Sequence, residues 1–385
     1  MHGAGKEADA AGGNARDDVP DTGGDVILSA DDHIDLRALL PSLLERYLPA
    51  RYRQDGPRVR ETAQGPVWVV GDEAIAAHTG GRVIASAITR AGLADDGMRT
   101  VIPERRLAVM DADGLRTSVI YGAPGLPIRD AALRGACIAA YNDWARDFNA
   151  ASPERLCVLA NLPSHAVDAA VAELKRVAMA GHRGVIFSVF EAGVPVHDPA
   201  WDALWAAAAE AGMPVSFHIG GGTKSIDLVR GSWRYGAFTA VAPMQLDEPL
   251  AGMLFSGALE RHPGLRLVLA ESGLGWLPYL LERMDMEHRV HGPKATDYCL
   301  RGEPSAIFRR QVFATFEDDP VGVAMIPRIG ADNVMWASDY PHQDSTFPHS
   351  RKAIGEMFRG AEESLRRKVV GETAARLYGF SAATG

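Results

Sequence analysis

The 385-residue chain lacks the features that mark membrane proteins, disulfide-stabilised proteins and nucleic-acid binders. No apolar run approaches the ~18 residues that a membrane-spanning helix needs. The three cysteines, Cys137, Cys157 and Cys299, are odd in number and scattered. This pattern predicts free thiols in a reducing compartment such as the cytoplasm, not disulfides or a zinc ribbon. The 40 basic and 49 acidic residues give a net charge of −9, which argues against nucleic acid as a partner.

The N-terminal segment, residues 1–24, is rich in alanine, glycine and aspartate. It lacks the apolar stretch of a signal peptide. Since it also has too few apolar side chains to bury a core, it predicts a disordered tail. We expect the remaining residues, 25–385, to form a single domain.

Short apolar segments alternate with helical patterns through most of the chain. The predicted strands are residues 26–30, 117–121, 156–160, 184–188, 214–217, 265–270, 311–316 and 333–338. Strands that alternate with helices are typical of parallel α/β sheets. Eight such units predict a (β/α)8 TIM barrel. A doubly wound open sheet is the alternative, weakened because no Gly-x-Gly-x-x-Gly turn follows a strand.

Residues 34–104 interrupt this alternation of strands and helices directly after the first strand. The segment is too long for a structureless loop, so it must contain elements of its own. It follows a strand whose end belongs to the predicted site. A lid, part of the substrate pocket and a subunit contact in a homo-oligomer all remain open for it.

Side chains that bind metals or move protons follow five of the predicted strands. They are Asp31 and His33, His218, Glu271, Glu317 and Asp339. Each has an ordinary interpretation alone: a turn residue, a core or loop histidine, or part of a solvated acidic run. In a TIM barrel, however, the C-terminal ends of the strands form the active site. Acids and histidines gathered there would be buried without compensation unless a cation joined them, so the set predicts a metal site.

The segments that carry these residues resemble the amidohydrolase-related family of TIM-barrel metalloenzymes. They are residues 29–33, 217–218, 270–278 and 336–342, and residues 371–379 resemble the family's C-terminal helix signature. The resemblance covers about residues 25–380. It implies metal-dependent hydrolysis, hydration or non-oxidative decarboxylation, usually with one zinc or manganese ion.

The chain departs from the commoner family pattern at two strand ends. Asp31-Asp32-His33 stands where many members have His-x-His or Glu-x-His, and Glu271 stands where many decarboxylases have histidine. Four carboxylates and two imidazoles are too many ligands for a single zinc site. Four carboxylates balance two dications, and oxygen-rich sites suit iron or manganese better than zinc. We therefore expect two iron ions, with zinc or manganese as the alternative.

One branch of the family shares the aspartate-rich first strand and the sixth-strand glutamate. It is represented by the non-haem di-iron monooxygenase of platensimycin and platencin biosynthesis. The resemblance implies an O₂-dependent oxidoreductase of antibiotic biosynthesis that hydroxylates a diterpenoid-type acid, carried as a CoA thioester. It also implies that Asp31, His33, His218, Glu271, Glu317 and Asp339 hold the two irons. The alternatives are a metal-dependent hydrolase or non-oxidative decarboxylase, in which Asp339 moves the proton, and a non-catalytic binding or scaffold protein.

Two further sets of residues have predicted roles around this centre. His342, three residues after Asp339, is expected to act as a ligand, an orienting group or a proton donor. A surface histidine is the ordinary alternative. Basic and aromatic residues after His218 are expected to line the substrate entrance and to meet carrier phosphates, with a solvated loop as the alternative. They are Arg230, Trp233, Arg234 and Tyr235.

Overall fold

The computed structural model describes residues 22, 24–34, 41–78, 88, 91–93, 98–122, 128–221, 225–226, 229, 231–295 and 300–381. The strands are β1 (Leu28–Ile34), β2 (Arg58–Arg60), β3 (Val67–Val70), β4 (Glu73–Ala77), β5 (Thr117–Gly122), β6 (Leu156–Val158), β7 (Ala160–Asn161), β8 (Val185–Ile186), β9 (Val215–His218), β10 (Leu267–Ala270), β11 (Val312–Phe316) and β12 (Val334–Trp336).

Helices fill most of the intervals between the strands. They are α1 (Pro41–Tyr47), α2 (Ala50–Arg53), α3 (Met98–Val101), α4 (Pro103–Asp113), α5 (Ala131–Ala150), α6 (Val167–Met179), α7 (Asp202–Glu210), α8 (Trp233–Val241), α9 (Asp247–Phe255), α10 (Ala258–Arg261), α11 (Leu277–His291), α12 (Pro304–Gln311), α13 (Pro320–Ile329), α14 (Ser350–Met357), α15 (Glu363–Arg367) and α16 (Thr373–Tyr378). A π-helical turn, Lys368–Glu372, joins the last two helices, and 3₁₀ turns cover Pro199–Trp201, Ala242–Leu246, Gly292–Lys294 and Ala331–Asn333. No helix in these ranges is long and apolar enough to cross a membrane.

The parallel strands form two sheets, ordered β1-β5-β6 and β12-β11-β10-β9-β8-β7. All eight predicted strands are present, with β6 and β7 dividing one of them, so the predicted α/β class is confirmed. Backbone hydrogen bonds continue beyond the paired strands at two places. The amide of Leu159, between β6 and β7, donates to Ile120 O at 3.0 Å, and the amide of Asp339 donates to Asp31 O at 3.0 Å.

Alternate residues of the strands pack into two different apolar clusters. Leu28, Val119, Cys157 and Val268 lie in an inner cluster that draws on both sheets. Their sequence neighbours, such as Ile120, Val158 and Leu267, pack outward against the helices. Because side chains alternate along a strand, the strands are apolar on both faces, as buried parallel strands are.

β1 extends four residues beyond its predicted end and changes the geometry of the site. Asp31, Asp32 and His33 lie inside the strand and not in a turn after it. A shift in its register with β5 occurs between Ser29 and Asp32. Since positions i and i+2 share a face, Asp31 and His33 lie on one side and Asp32 on the other.

The segment 34–104 contains helices α1 to α3 and an antiparallel sheet of β2, β3 and β4. Its expected role as lid, pocket wall or subunit contact stays a prediction. The predicted tail lies outside the described residues except for Thr22 and Gly24. Thr22 is buried, and its carbonyl accepts a hydrogen bond from Arg351 at 2.6 Å.

Candidate metal centre

A pocket of about 400 Å³ opens at the C-terminal ends of the parallel strands. Its lining combines acids and histidines on one side with apolar groups from α8 and the turn that follows it. The lining residues are His218, Ile219, Gly220, Phe238, Thr239, Ala242, Pro243, Glu271, Glu317, Asp318, Asp339, His342 and Asp344. The strand-end residues predicted from the sequence therefore meet around one space.

His33 lies at the centre of the polar cluster. Its Nε2 atom is 2.8 Å from Asp339 Oδ1, 3.5 Å from Asp31 Oδ1 and 3.6 Å from Glu271 Oε2. His218 Nε2 reaches the same carboxylates, at 3.2 Å from Glu271 and 3.7 Å from Asp31. Two overlapping groups each place their ligand atoms within 4.8 Å of one another. One contains His33, Glu271, Asp339 and His342, and the other Asp31, His33 and His218.

Hydrogen bonds on the far side of the cluster fix these side chains. Asp31 Oδ2 accepts from the Glu271 amide and from the Thr315 hydroxyl, both at 2.8 Å. His218 Nδ1 lies 2.6 Å from Ile219 O, so it donates there and leaves Nε2 as the basic atom facing the cluster. His342 Nδ1 lies 2.8 Å from Asp339 Oδ1. Its ring stacks on His33 with centroids 4.0 Å apart.

Backbone strain is concentrated at the same place. Within the described ranges, Glu271 (φ 54°) and Asp339 (φ 60°) are the non-glycine residues with positive φ. Such conformations cost on the order of 1 kcal/mol or more each and persist where the surroundings enforce them. Both residues direct a carboxylate into the cluster.

Several buried atoms of the cluster make no hydrogen bond, namely Asp31 Oδ1, His33 Nε2, His218 Nε2 and Glu317 Oε1. Unpaired buried polar atoms are rare, and each costs about 1–3 kcal/mol. Carboxylate oxygens and imidazole nitrogens are ligands of divalent cations. The residues therefore fit a bound metal ion.

The charges of the cluster are largely compensated within the protein. Burial opposes the charged form of His218, but Asp31 and Glu271 outweigh it and raise its pKa to about 9. Burial, reinforced by Asp339, raises the pKa of Glu271 to about 8. Burial and neighbouring acids also hold the pKa of Glu317 well above its usual range. In the metal-free protein, these shifts favour protonated Glu271 and Glu317 and a charged His218, so protonation compensates acidic charge of the cluster before a metal binds.

His33 and Asp339 shift in the opposite direction. Burial, together with the charge on His342, lowers the pKa of His33 to about 4, which keeps its ring neutral as a metal ligand must be. Burial opposes the charge on Asp339, but His342 and His33 outweigh it and lower the pKa of Asp339. The same contact raises the pKa of His342 to about 10, against the effect of burial.

Five of the six predicted ligands and His342 are brought together in the two ligand groups. Glu317 lines the same pocket but belongs to neither group. Of the residues predicted to contact substrate, Arg230 lies outside the described residues. Trp233 is 75% exposed, and α8 instead contributes Phe238 and Thr239 to the pocket.

Three residues that support the cluster were not singled out for the site. Thr315 holds Asp31, and its only sequence signal is a hydroxyl inside an apolar strand. The fully buried Arg106 donates to His33 O at 3.0 Å. Asp319 caps α13 through the Gly322 amide at 2.7 Å. It also accepts from the Leu274 amide at 2.8 Å, and so fixes the loop after Glu271.

Comparison with known proteins identifies relatives of the chain. The sequence profile described as Amidohydrolase matches residues 102–380. The γ-resorcylate decarboxylase of Rhodococcus jostii is 26% identical over 269 residues, which are 63% of this chain and 78% of the relative. An amidohydrolase from Mycobacterium avium subsp. paratuberculosis has a similar structure, with a TM-score of 0.74, 20% identity, and 92% of this chain and 100% of the other covered.

A second solved structure with a similar fold contains a metal ion. The dihydroxybenzoic acid decarboxylase of Polaromonas sp. JS666 contains manganese and the inhibitor 2-nitroresorcinol. It matches with a TM-score of 0.65 and 17% identity, covering 93% of this chain and 98% of the other.

These relatives overturn the functional expectation from the sequence. The prediction of a di-iron monooxygenase is wrong, because the relatives with a stated activity are decarboxylases. Two iron ions, O₂, an acyl-CoA, a diterpenoid acid and a role in antibiotic biosynthesis find no support among them. The monooxygenase was implied by the resemblance to one branch of the family, and the count of four carboxylates gave only the expectation of two metal ions.

Proposed function

The chain belongs to the amidohydrolase family, and on that premise we propose that it is a metal-dependent, non-oxidative decarboxylase of an aromatic hydroxy acid. The observation that carries the proposal is the set of unpaired atoms of Asp31, His33 and His218, gathered beside the pocket that His218 lines. The stated activities of the relatives favour decarboxylation over hydrolysis. We further propose that the two parallel sheets close into a (β/α)8 barrel around the inner apolar cluster.

Asp31, His33, His218 and Asp339 are the residues proposed to hold one divalent ion, for which manganese is the first candidate. Glu271 and His342 remain beside it. When bound, the ion supplies Lewis-acid charge that orients and stabilises anionic oxygens of a substrate. The unpaired atoms on Asp31 and both histidines account for its binding without a second ion.

The apolar wall of the pocket suits an aromatic ring. Phe238, Ala242 and Pro243 line the same pocket as the polar cluster. A ring placed between these walls would have its carboxylate beside the histidines and its face against Phe238. The same wall limits the access of water to the reacting carbon.

His342 and Asp339 are proposed to deliver the proton. His342 is held at its Nδ1 atom by Asp339 and lines the pocket. Protonation of the ring carbon that carries the carboxylate forms one C–H bond. The C–C bond to the carboxylate then breaks, its electron pair restores the aromatic ring, and CO₂ leaves. The reaction consumes one proton, which the partly exposed His342 regains from solvent.

The proposal is tested with metal-depleted and Mn²⁺-loaded protein under argon. Substrates are γ-resorcylate, other dihydroxybenzoates and 5-carboxyvanillate, and the readouts are CO₂ and the phenolic product. We expect release of CO₂ that depends on Mn²⁺ and not on O₂, with one deuterium from D₂O at the vacated ring carbon. Mn²⁺-dependent cleavage of aryl amides or lactones without any CO₂ release would contradict it and identify a hydrolase instead.

A further inference from the structure

A buried ion pair lies behind the candidate metal centre, on the opposite side of β1. Arg106, from helix α4, is fully buried, and its Nη2 atom is 3.2 Å from Asp32 Oδ2. Its Nη1 atom donates to the carbonyl of His33 at 3.0 Å. Its guanidinium carbon lies 4.8 Å from the centroid of the Tyr340 ring. One side chain therefore contacts both β1 and the segment after β12.

Asp32 completes the link between the same elements. Its Oδ1 accepts from the Ser29 hydroxyl at 2.8 Å and from the Tyr340 amide at 3.2 Å. Its Oδ2 accepts from the Ser118 hydroxyl on β5. Burial raises the pKa of Asp32, and Arg106 opposes that effect. Arg106 is therefore the cation that compensates this buried carboxylate.

The residues linked in this way flank the cluster directly. His33 and Asp31 adjoin Asp32 in sequence, and Tyr340 follows Asp339. Backbone hydrogen bonds continue the link: His33 N to Tyr340 O at 2.6 Å and Asp339 N to Asp31 O at 3.0 Å. Asp339 holds its strained φ of 60° between these bonds. A shift of β1 against this segment would change the separation of Asp31 and His33 from Asp339.

We propose that Arg106 and Asp32 are positioning residues that set the spacing between the β1 ligands and Asp339. The inference rests on the proposed function, since that function assigns metal binding to Asp31, His33 and Asp339. Arg106 and Asp32 contact the backbone and the supporting hydroxyls, and neither lines the pocket. Their effect on the metal is therefore indirect, through the geometry of the ligands. Substitution of residues that orient ligands typically weakens metal binding by about 10–100-fold.

The chain offers a matched control in a second buried pair. Arg366 Nε lies 2.6 Å from Asp25 Oδ2, and both residues are buried. Neither residue lines the pocket or belongs to the ligand groups. Loss of either arginine should destabilise the fold, because each leaves a buried carboxylate without its cation. Only loss of Arg106 should change the affinity of the folded protein for metal.

The test measures Mn²⁺ affinity of full-length wild type, Arg106→Met, Arg106→Lys, Asp32→Asn and Arg366→Met by calorimetric titration, below the unfolding transition of each. We expect at least ~10-fold weaker binding for Arg106→Met and Asp32→Asn. Arg106→Lys, which keeps a cation beside Asp32, should recover part of the affinity. Arg366→Met should stay within about 2-fold of wild type while its Tm falls. If Arg106→Met does not fold, Arg106→Lys and Asp32→Asn decide the question.

The outcomes separate the inference from the function on which it rests. Wild-type affinity in the Arg106 and Asp32 variants, or equal weakening in the Arg366 control, would overturn the positioning role alone. Failure of the wild type to bind Mn²⁺ would overturn both. Tight binding by the wild type without CO₂ release would overturn the decarboxylase proposal and leave the positioning role to be decided by the affinities.

Discussion

Both sides of β1 carry a buried aspartate, but the two aspartates differ in whether all of their oxygen atoms have hydrogen-bond partners. On the pocket side, Asp31 Oδ1 and His33 Nε2 make no hydrogen bond. On the other side, both oxygens of Asp32 accept hydrogen bonds, and Arg106 compensates its charge. Asp31 and Asp32 are neighbours and equally buried. Burial of a charge therefore does not by itself mark a cation site; unpaired acceptor atoms of acids and histidines gathered at one place do.

The largest effect on Mn²⁺ binding should come from a substitution on the pocket side of β1. His33 belongs to both ligand groups, so we expect His33→Gln to weaken Mn²⁺ binding by more than ~100-fold, beyond the loss typical of residues that only orient ligands. Activity should fall with it. Metal-free stability should fall only by the loss of the 2.8 Å contact between Nε2 and Asp339 Oδ1 and of the stacking on His342. Calorimetric titration and metal-free thermal unfolding measure the two quantities. A large loss of metal-free stability with normal Mn²⁺ affinity would reverse the comparison.

A smaller effect on Mn²⁺ affinity is expected from substitution of Thr315, which supports Asp31 from behind the ligand cluster. Thr315 donates to Asp31 Oδ2 at 2.8 Å and accepts from the Glu271 amide at 2.7 Å. Thr315→Val keeps the shape and removes both bonds, so Mn²⁺ affinity should fall by about 10-fold. Thr315→Ser, which keeps the hydroxyl, is the control and should bind nearly as wild type. Equal affinities for the valine and serine variants would show that the hydroxyl does not orient Asp31.

The sequence predicted the architecture where local signals and global packing agree. Apolar segments at regular intervals located every parallel strand. Capping chemistry is present at helix boundaries, as where Asp198 accepts from the Ala200 amide at 2.8 Å and Gly212 has a φ of 63°. The end of β1 was missed because an Asp-Asp pair favours a turn. In the fold, hydrogen bonds to the segment after β12 keep the chain extended through His33.

The positions of the site residues were predictable, and their charge states were not. The strand-end rule of α/β barrels identified His218, Glu271 and Asp339 from sequence alone. Counting every acid as charged led to the expectation of two metal ions. Burial raises the pKa of Glu271, and Asp339 pairs with His342, but both effects depend on tertiary distances that the sequence does not show. The role of Arg106 could not be predicted from the sequence either, since 73 residues separate it from the carbonyl to which it donates.

A third prediction tests the side of β1 on which Asp32 accepts its hydrogen bonds. The Ser29 hydroxyl is fully buried, donates to Asp32 Oδ1 at 2.8 Å and accepts from the Ser338 amide at 2.8 Å. Ser29→Ala leaves the Ser338 amide unsatisfied and Asp32 Oδ1 with the Tyr340 amide as its remaining donor, so the free energy of unfolding should fall by about 1–3 kcal/mol. Urea unfolding of the metal-free protein measures this change. A stability equal to that of wild type would show that Asp32 does not depend on its full set of donors.

The smallest effects distinguish the two ends of α8. Phe238 lines the pocket, whereas Trp233, at the start of the same helix, is 75% exposed. Aromatic stacking contributes about 0.5–1.5 kcal/mol, so Phe238→Ala should raise the KM for an aromatic acid by about 2–10-fold. Trp233→Ala is the matched control and should leave KM unchanged, because its ring contacts solvent rather than the pocket. A higher KM for Trp233→Ala with no change for Phe238→Ala would place the substrate at the exposed end of α8, as the sequence suggested, and not against the polar cluster.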